Sequence, residues 1–154
     1  MIDDYTNKFY KKLASRSVLI KENNYAKAIE IADWKQKMSQ SWDGIEVLNV
    51  DIPERLLHQP QVGEDYDLNV VIDVKDPECK GVGVELVVTR LDVNNHDSLF
   101  NVEELNLVKT EGTKLFFNID YLMNRAGTFK YAFRMFPKNE NLAHRQDFCF
   151  VRWI

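Results

Sequence analysis

The chain has 154 residues, 45% of them hydrophobic and 29% charged, a balance that excludes a disordered polypeptide and suits one domain or a domain with an appendage. A net charge of -4 argues against a partner held by phosphate contacts, so no nucleic-acid partner is expected. No apolar run is long enough for a bilayer and no signal-peptide pattern opens the chain, so no membrane is expected and the predicted setting is cytoplasmic.

Residues 2–16 read as a helix, with Ile2, Tyr5, Phe9 and Leu13 recurring every three or four positions. Asp3 and Asp4 fall in its first turn and Lys8, Lys11, Lys12 and Arg16 toward its far end, the signs that suit the helix dipole. It begins almost at Met1 without a cap, which leads us to expect a sequence cut from something longer. Asn23 or Asn24 can cap a second helix from 25 to about 41. Its apolar stripe is Ala28, Ile31, Ala32, Trp34, Met38 and Trp42, and Asp43-Gly44 ends it. Such a stripe is expected to pack on the first helix and on the domain that follows. The alternative is that part of it forms an interdomain surface.

From Ile45 onward the period is extended. Strands are predicted over 45–52, 66–74, 82–91, 102–108, 114–119, 128–136 and 147–153. Tyr66, Leu68, Val70, Ile72 and Val74 alternate cleanly, as do Val82, Val84, Leu86 and Val88. Phe129, Tyr131, Phe133 and Met135 put one face of the strand after Gly127 into a core. In the first strand the apolar face switches from Ile45 and Val47 to Leu48, Val50 and Ile52, which predicts a bulge or a crossing between sheets. Turn signals, among them Asn94-Asn95-His96-Asp97 and Glu111-Gly112, separate the strands. Seven short strands with no helix between them predict an antiparallel, immunoglobulin-like β-sandwich over residues 45–154, preceded by a helical segment over 1–44.

No catalytic constellation emerges from the residues. His58, His96 and His144 fall in predicted loops, far apart and without metal-ligand spacing, and are expected to be solvated. Gly81-x-Gly83 leads into a strand, not a helix, so it is no phosphate loop. The acidic pairs Asp3-Asp4 and Glu103-Glu104 are expected on the surface. Cys79 and Cys149 are expected as unlinked thiols, with a disulfide left open. A sugar-stacking platform would need exposed aromatics, yet Trp34, Trp42 and Trp153 are each expected in a core. The segment 96–100, read as a loop, offers Phe100 alone. Arg134 and Arg152 are expected to face outward or pair with an acid. No catalytic, cofactor-binding or metal-binding residue is assigned.

The order of features resembles the C-terminal end of bacterial α-glucan (maltodextrin/glycogen) phosphorylases. The resemblance rests on Asp4-Tyr5-Thr6-Asn7-Lys8-Phe9-Tyr10, on Ala28-Ile29-Glu30-Ile31-Ala32-Asp33-Trp34-Lys35 with Trp42 following, and on Val62-Gly63-Glu64. It continues through Val84-Glu85-Leu86-Val87-Val88, Gly127-Thr128-Phe129-Lys130-Tyr131-Ala132-Phe133-Arg134-Met135-Phe136-Pro137 and Val151-Arg152-Trp153, so it runs along nearly the whole chain. It implies a parent glycosyltransferase that moves glucosyl units between an α-1,4-glucan and phosphate, using pyridoxal phosphate held by a lysine upstream. It further implies a helical tail of the catalytic body, an appended sandwich, and no cofactor or catalytic residue here. The expected role is structural docking to the upstream domains of the same polypeptide, with glucan or subunit contact, including a homo-oligomer, as further roles. A stand-alone carbohydrate- or protein-binding sandwich is the alternative, and the lack of any motif disfavours an intact small enzyme.

Overall fold

The computed structural model describes residues 11–91, 96–142 and 144–154, with side chains from Tyr25 onward. Helix α1, Lys11–Ser41, opens it as one continuous element of 31 residues, about 46 Å long at 1.5 Å per residue. The predicted first helix therefore lies outside the described residues over 2–10, and its remainder merges with the second. The break expected between 16 and 25 is absent because Leu19, Ile20, Lys21 and Glu22 are compatible with a helix and no Gly or Pro interrupts them. The Asn23-Asn24 pair still leaves a mark: Tyr25, next in sequence, has φ 64°, in the left-handed region that strains a side chain.

Among the described side chains, those at the last turns of α1 reach a core. Met38 and Trp42 are buried and Trp34 packs on the cluster, whereas Tyr25 and Ile29 remain 54% and 57% exposed. The close approach depends on Gly81, where a Cβ would lie 2.7 Å from the Lys138 carbonyl oxygen and 3.1 Å from Trp34 Nε1. Flanking bonds fix the same end: Ser41 Oγ donates to Asp76 at 3.3 Å, and Lys37 pairs with Glu78.

After a 3-10 turn at Trp42–Gly44, eight strands follow among the described residues. They are β1 (Glu46–Asp51), β2 (Asp65–Asp73), β3 (Val82–Leu91), β4 (Asp97–Glu104), β5 (Asn106–Glu111), β6 (Lys114–Leu122), β7 (Phe129–Pro137) and β8 (Arg152–Trp153). A short helix α2, Glu54–His58, connects β1 to β2 and buries Leu56. One antiparallel sheet has the order β1-β2-β6-β5 and the other β4-β3-β7-β8. This is the immunoglobulin-like Greek-key arrangement, in which strands near in sequence are shared between two layers. Tyr66, Leu68, Val70 and Ile72 from β2 and Leu115, Phe117, Ile119 and Tyr121 from β6 supply one wall of the core. Val84, Leu86 and Val88 of β3 with Phe133 and Met135 of β7 supply the other.

The face switch in β1 is a bulge, with the register slipping between Val47 and Asn49 against β2. Three expectations need correction. The predicted strand 102–108 is two strands, because the chain crosses between sheets at buried Leu105. Residues 97–100, read as turn and loop, are the first half of β4, held to β3 by backbone pairing that the polar side chains of Asp97 and Ser98 do not announce. The predicted strand 147–153 forms ladder only at Arg152–Trp153, since a 3-10 turn at Arg145–Asp147 takes up its start.

Tyr131 points its hydroxyl into the core, where it is buried without a hydrogen-bond partner among the described residues. Burial pushes its pKa up to about 12 from an ordinary 10, with Tyr121 and Tyr66 adding to the shift. The unfolded chain thus ionises this group first, and stability is lost as pH rises through 10 to 12. We expect Tyr131→Phe to stabilise the fold by about 1 kcal/mol near neutral pH and to flatten this alkaline loss, read by urea unfolding at pH 7 and pH 11.

Candidate functional site

The outer face of the β4-β3-β7-β8 sheet carries a cluster of charged side chains. Glu104, Glu85, Arg134 and Trp153 stand in register across the four strands. Glu85 is the only fully buried carboxylate in the row, its side chain 3% exposed. Arg134 Nε donates to its Oε1 from the neighbouring strand. Arg145, from the segment after β7, donates to its Oε2 at 2.5 Å. The Arg145 guanidinium also lies 3.7 Å from the centroid of the Phe136 ring and 3.6 Å from Glu104, which pairs in turn with Lys138. One acid thus ties together two strands and a loop.

Why Glu85 is buried follows from its neighbours. Val87 and Phe136 are buried on this same outer face, apart from the main core, and the Arg145 guanidinium covers the Phe136 ring. Gly83 belongs to the same packing, since a Cβ there would meet the Phe136 ring at 2.5 Å. Two clefts flank the Glu104–Lys138 pair. One of about 310 Å³ runs between Phe136, Asn139, His144 and Arg145. A smaller one of about 200 Å³ lies under Lys80, Leu105 and Phe117. The smaller falls below the range of ordinary ligand pockets and the larger only reaches its lower end.

The residues weighed from the sequence distribute as follows. His58 ends α2, His96 precedes β4, and His144 caps the 3-10 turn, its Nδ1 accepting from the Gln146 N–H at 3.1 Å. All three are exposed, and the structure does not bring them together. Among the described residues no group of three His, Cys, Asp or Glu stands ready to hold a metal ion. Cys79 is buried and Cys149 exposed, both free. Glu103 is half-buried and accepts from Asn101, while Asp3 and Asp4 lie outside the described residues. Arg134 pairs with an acid as one of its two expected placements, and Arg152 turns inward to donate to the Ile45 carbonyl.

Trp42 is buried and Trp34 half-buried, but Trp153 is 57% exposed, against expectation. Strand β8 is an edge of only two residues, so no further element covers the indole, and Arg134 lies 5.5 Å from its ring. Glu85 and Arg145 escaped sequence reasoning altogether. An acid at an alternate strand position looks like a solvent-facing residue until the β3–β7 pairing sets Arg134 opposite it.

At the end of β2, the buried Asp73 is held by the Thr113 side chain, the Lys75 N–H and the Lys75 ammonium, which bring its pKa down to about 2. No helix among the described residues is long and apolar enough to cross a membrane.

Replacing Arg134 with Met should leave Glu85 one cation short. We expect Arg134→Met to cost about 2 kcal/mol in thermal or urea unfolding, whereas Lys130→Met, which breaks an exposed pair with Asp97, should cost under about 1 kcal/mol.

Comparison with known proteins places this architecture. The family model described as the glycogen phosphorylase C-terminal domain matches residues 42–154. Maltodextrin phosphorylase of Thermococcus litoralis is 24% identical over 156 residues, an alignment that covers 99% of this chain and 18% of that protein. The chain therefore spans less than a fifth of the length of that curated relative. No solved structure matches it.

Proposed function

The chain belongs to the glycogen phosphorylase C-terminal domain family, and from that premise we propose that it serves as the non-catalytic C-terminal part of an α-glucan phosphorylase. The parent would transfer glucosyl units between an α-1,4-glucan and phosphate. In this reading residues 45–154 are an appended sandwich domain, and residues 1–44 are the helical link by which it docks on upstream catalytic domains of the same polypeptide. The observation that carries it is the family match over 42–154, which begins at the foot of α1. The exposed Tyr25 and Ile29, farther along that helix, are suited to burial against the upstream body.

The pyridoxal phosphate of such an enzyme does not fit here. Its anchoring lysine needs an enclosed site, and no described lysine side chain is buried. The lysines beside the two clefts, Lys80 and Lys138, are exposed. The cofactor and the chemistry are therefore assigned to the upstream domains. A cytoplasmic setting accords with two free thiols.

A second reading, glucan contact by the sandwich itself, is favoured by Trp153, whose exposed indole beside Arg134 offers a stacking face and a donor. The two readings separate in experiment. We expect the 154-residue chain alone to release no glucose 1-phosphate from maltooligosaccharides and phosphate, and the polypeptide encoded with its upstream reading frame to do so. Phosphorolysis by the chain alone, or an upstream frame without that activity, would overturn the proposal. Saturable quenching of tryptophan emission by maltoheptaose, lost in Trp153→Ala, would establish the second reading.

A further inference from the structure

The segment between β7 and β8 is held in an unusual way. Over His144–Phe150 it joins no strand ladder, and its backbone–backbone bonds among the described residues are local ones, such as Asp147 N to His144 O and Phe150 N to Phe148 O. A reciprocal cap stiffens it: His144 Nδ1 accepts from the Gln146 N–H, and the Asp147 carboxylate accepts from the His144 N–H at 3.2 Å. Beyond the local bond that the Cys149 thiol donates to the Gln146 carbonyl, side chains reaching in two directions position it.

Toward the sheet, Arg145 inserts between Glu85, Glu104 and the Phe136 ring. Toward helix α1, the Asp147 carbonyl accepts from Lys35 Nζ at 2.8 Å. Phe148 then packs on Trp34 with ring centroids 5.4 Å apart, and Phe150 on Trp42 at 5.7 Å. The two phenylalanines also touch each other, at 4.8 Å. The segment is thus a strap from the outer face of one sheet to the foot of α1, with a single deep anchor at the sheet end. That anchor is the buried carboxylate of Glu85.

We infer that Glu85 is a latch for helix α1: its charge holds Arg145, Arg145 holds the strap, and the strap holds the foot of the helix through Phe148 and Phe150. At the sheet end the latch stands outside the main core, because Glu85 and Phe136 lie on the opposite side of β3 and β7, and at the helix end Phe148 and Phe150 pack on the rim of that core beside Trp34 and Trp42. Weakening the latch should free the strap and the helix foot together and leave the two sheets closed. The arm that α1 presents would then swing about Trp42–Gly44, so the acid on the sheet governs how rigidly the arm projects.

Amide hydrogen exchange on the whole chain tests this. In Glu85→Gln, residues 34–41 and 144–150 should exchange at least tenfold faster, in step with each other. Emission from Trp34 and Trp42 should shift to longer wavelength, and the protection of β2 and β6 should stay unchanged. Arg145→Met, which keeps a side chain on Phe136 but removes the charge, should do the same, and Lys130→Met should not. Faster exchange in the strap alone, with 34–41 unaffected, overturns the inference. So does a uniform rise across all strands, which would mean that Glu85 serves the sandwich itself. If Glu85→Gln fails to fold, Arg145→Met decides between the same two results.

Discussion

Two sheets can share one core only if each strand keeps its apolar side chains on one face, because a slip of one residue turns the whole set outward. That constraint governs this molecule. Tyr66, Leu68, Val70 and Ile72 on β2 meet Leu115, Phe117, Ile119 and Tyr121 on β6 across an uninterrupted ladder. The β3–β7 ladder is equally regular, from Val82 opposite Pro137 to Arg90 opposite Phe129. Irregularity is confined to outer strands: the slips fall between β1 and β2, β3 and β4, and β5 and β6. The four central strands fix the register, and the edges bend to close the layers.

The same four strands decide what can attach outside. Burying Met38 and Trp42 stabilises the foot of α1 by roughly 2 kcal/mol each relative to exposure. No comparable burial supports the helix around Tyr25 and Ile29. Among its described side chains the helix is anchored at its foot, and its direction depends on what grips that end. Here the grip comes from three sources: the Trp34 approach that Gly81 permits, the polar bonds from Asp76 and Glu78, and the aromatic pairs supplied by the strap.

Much of the sandwich was legible in the sequence because alternation is a local property. The strands at 66–74, 82–91, 114–119 and 128–136 could be read within a residue or two at most ends, and the bulge in β1 showed in its apolar face. What was not legible depends on partners far away in the chain. Asp97 and Ser98 carry no strand signal of their own and become strand only through pairing with Leu91 and Arg90. Leu105 lies within a continuous extended run, so nothing local says that the chain changes sheets there. Trp153 looked like core because tryptophan usually is, yet its burial turned on whether a ninth strand would cover β8. The charge cluster was invisible for the same reason: Glu85 and Arg145 are 60 residues apart.

Placement of charge also limits what the outer face can do. A buried carboxylate that accepts from a guanidinium on each oxygen is turned toward its partners rather than toward an open cleft, and those partners are held rather than free to donate. Catalysis would need the opposite arrangement, an enclosed pocket with a polar group poised and unsatisfied. The clefts beside Glu104 are small and their lysines lie in water. The buried charge is better understood as a choice of geometry than as a source of stability, since an apolar replacement of equal volume could pack as tightly. What such a replacement would lose is direction. A directional hydrogen bond from Arg145 to Glu85, with the guanidinium set against the Phe136 ring, requires Arg145 to enter at one point, and so requires the strap to cross to α1 at one angle.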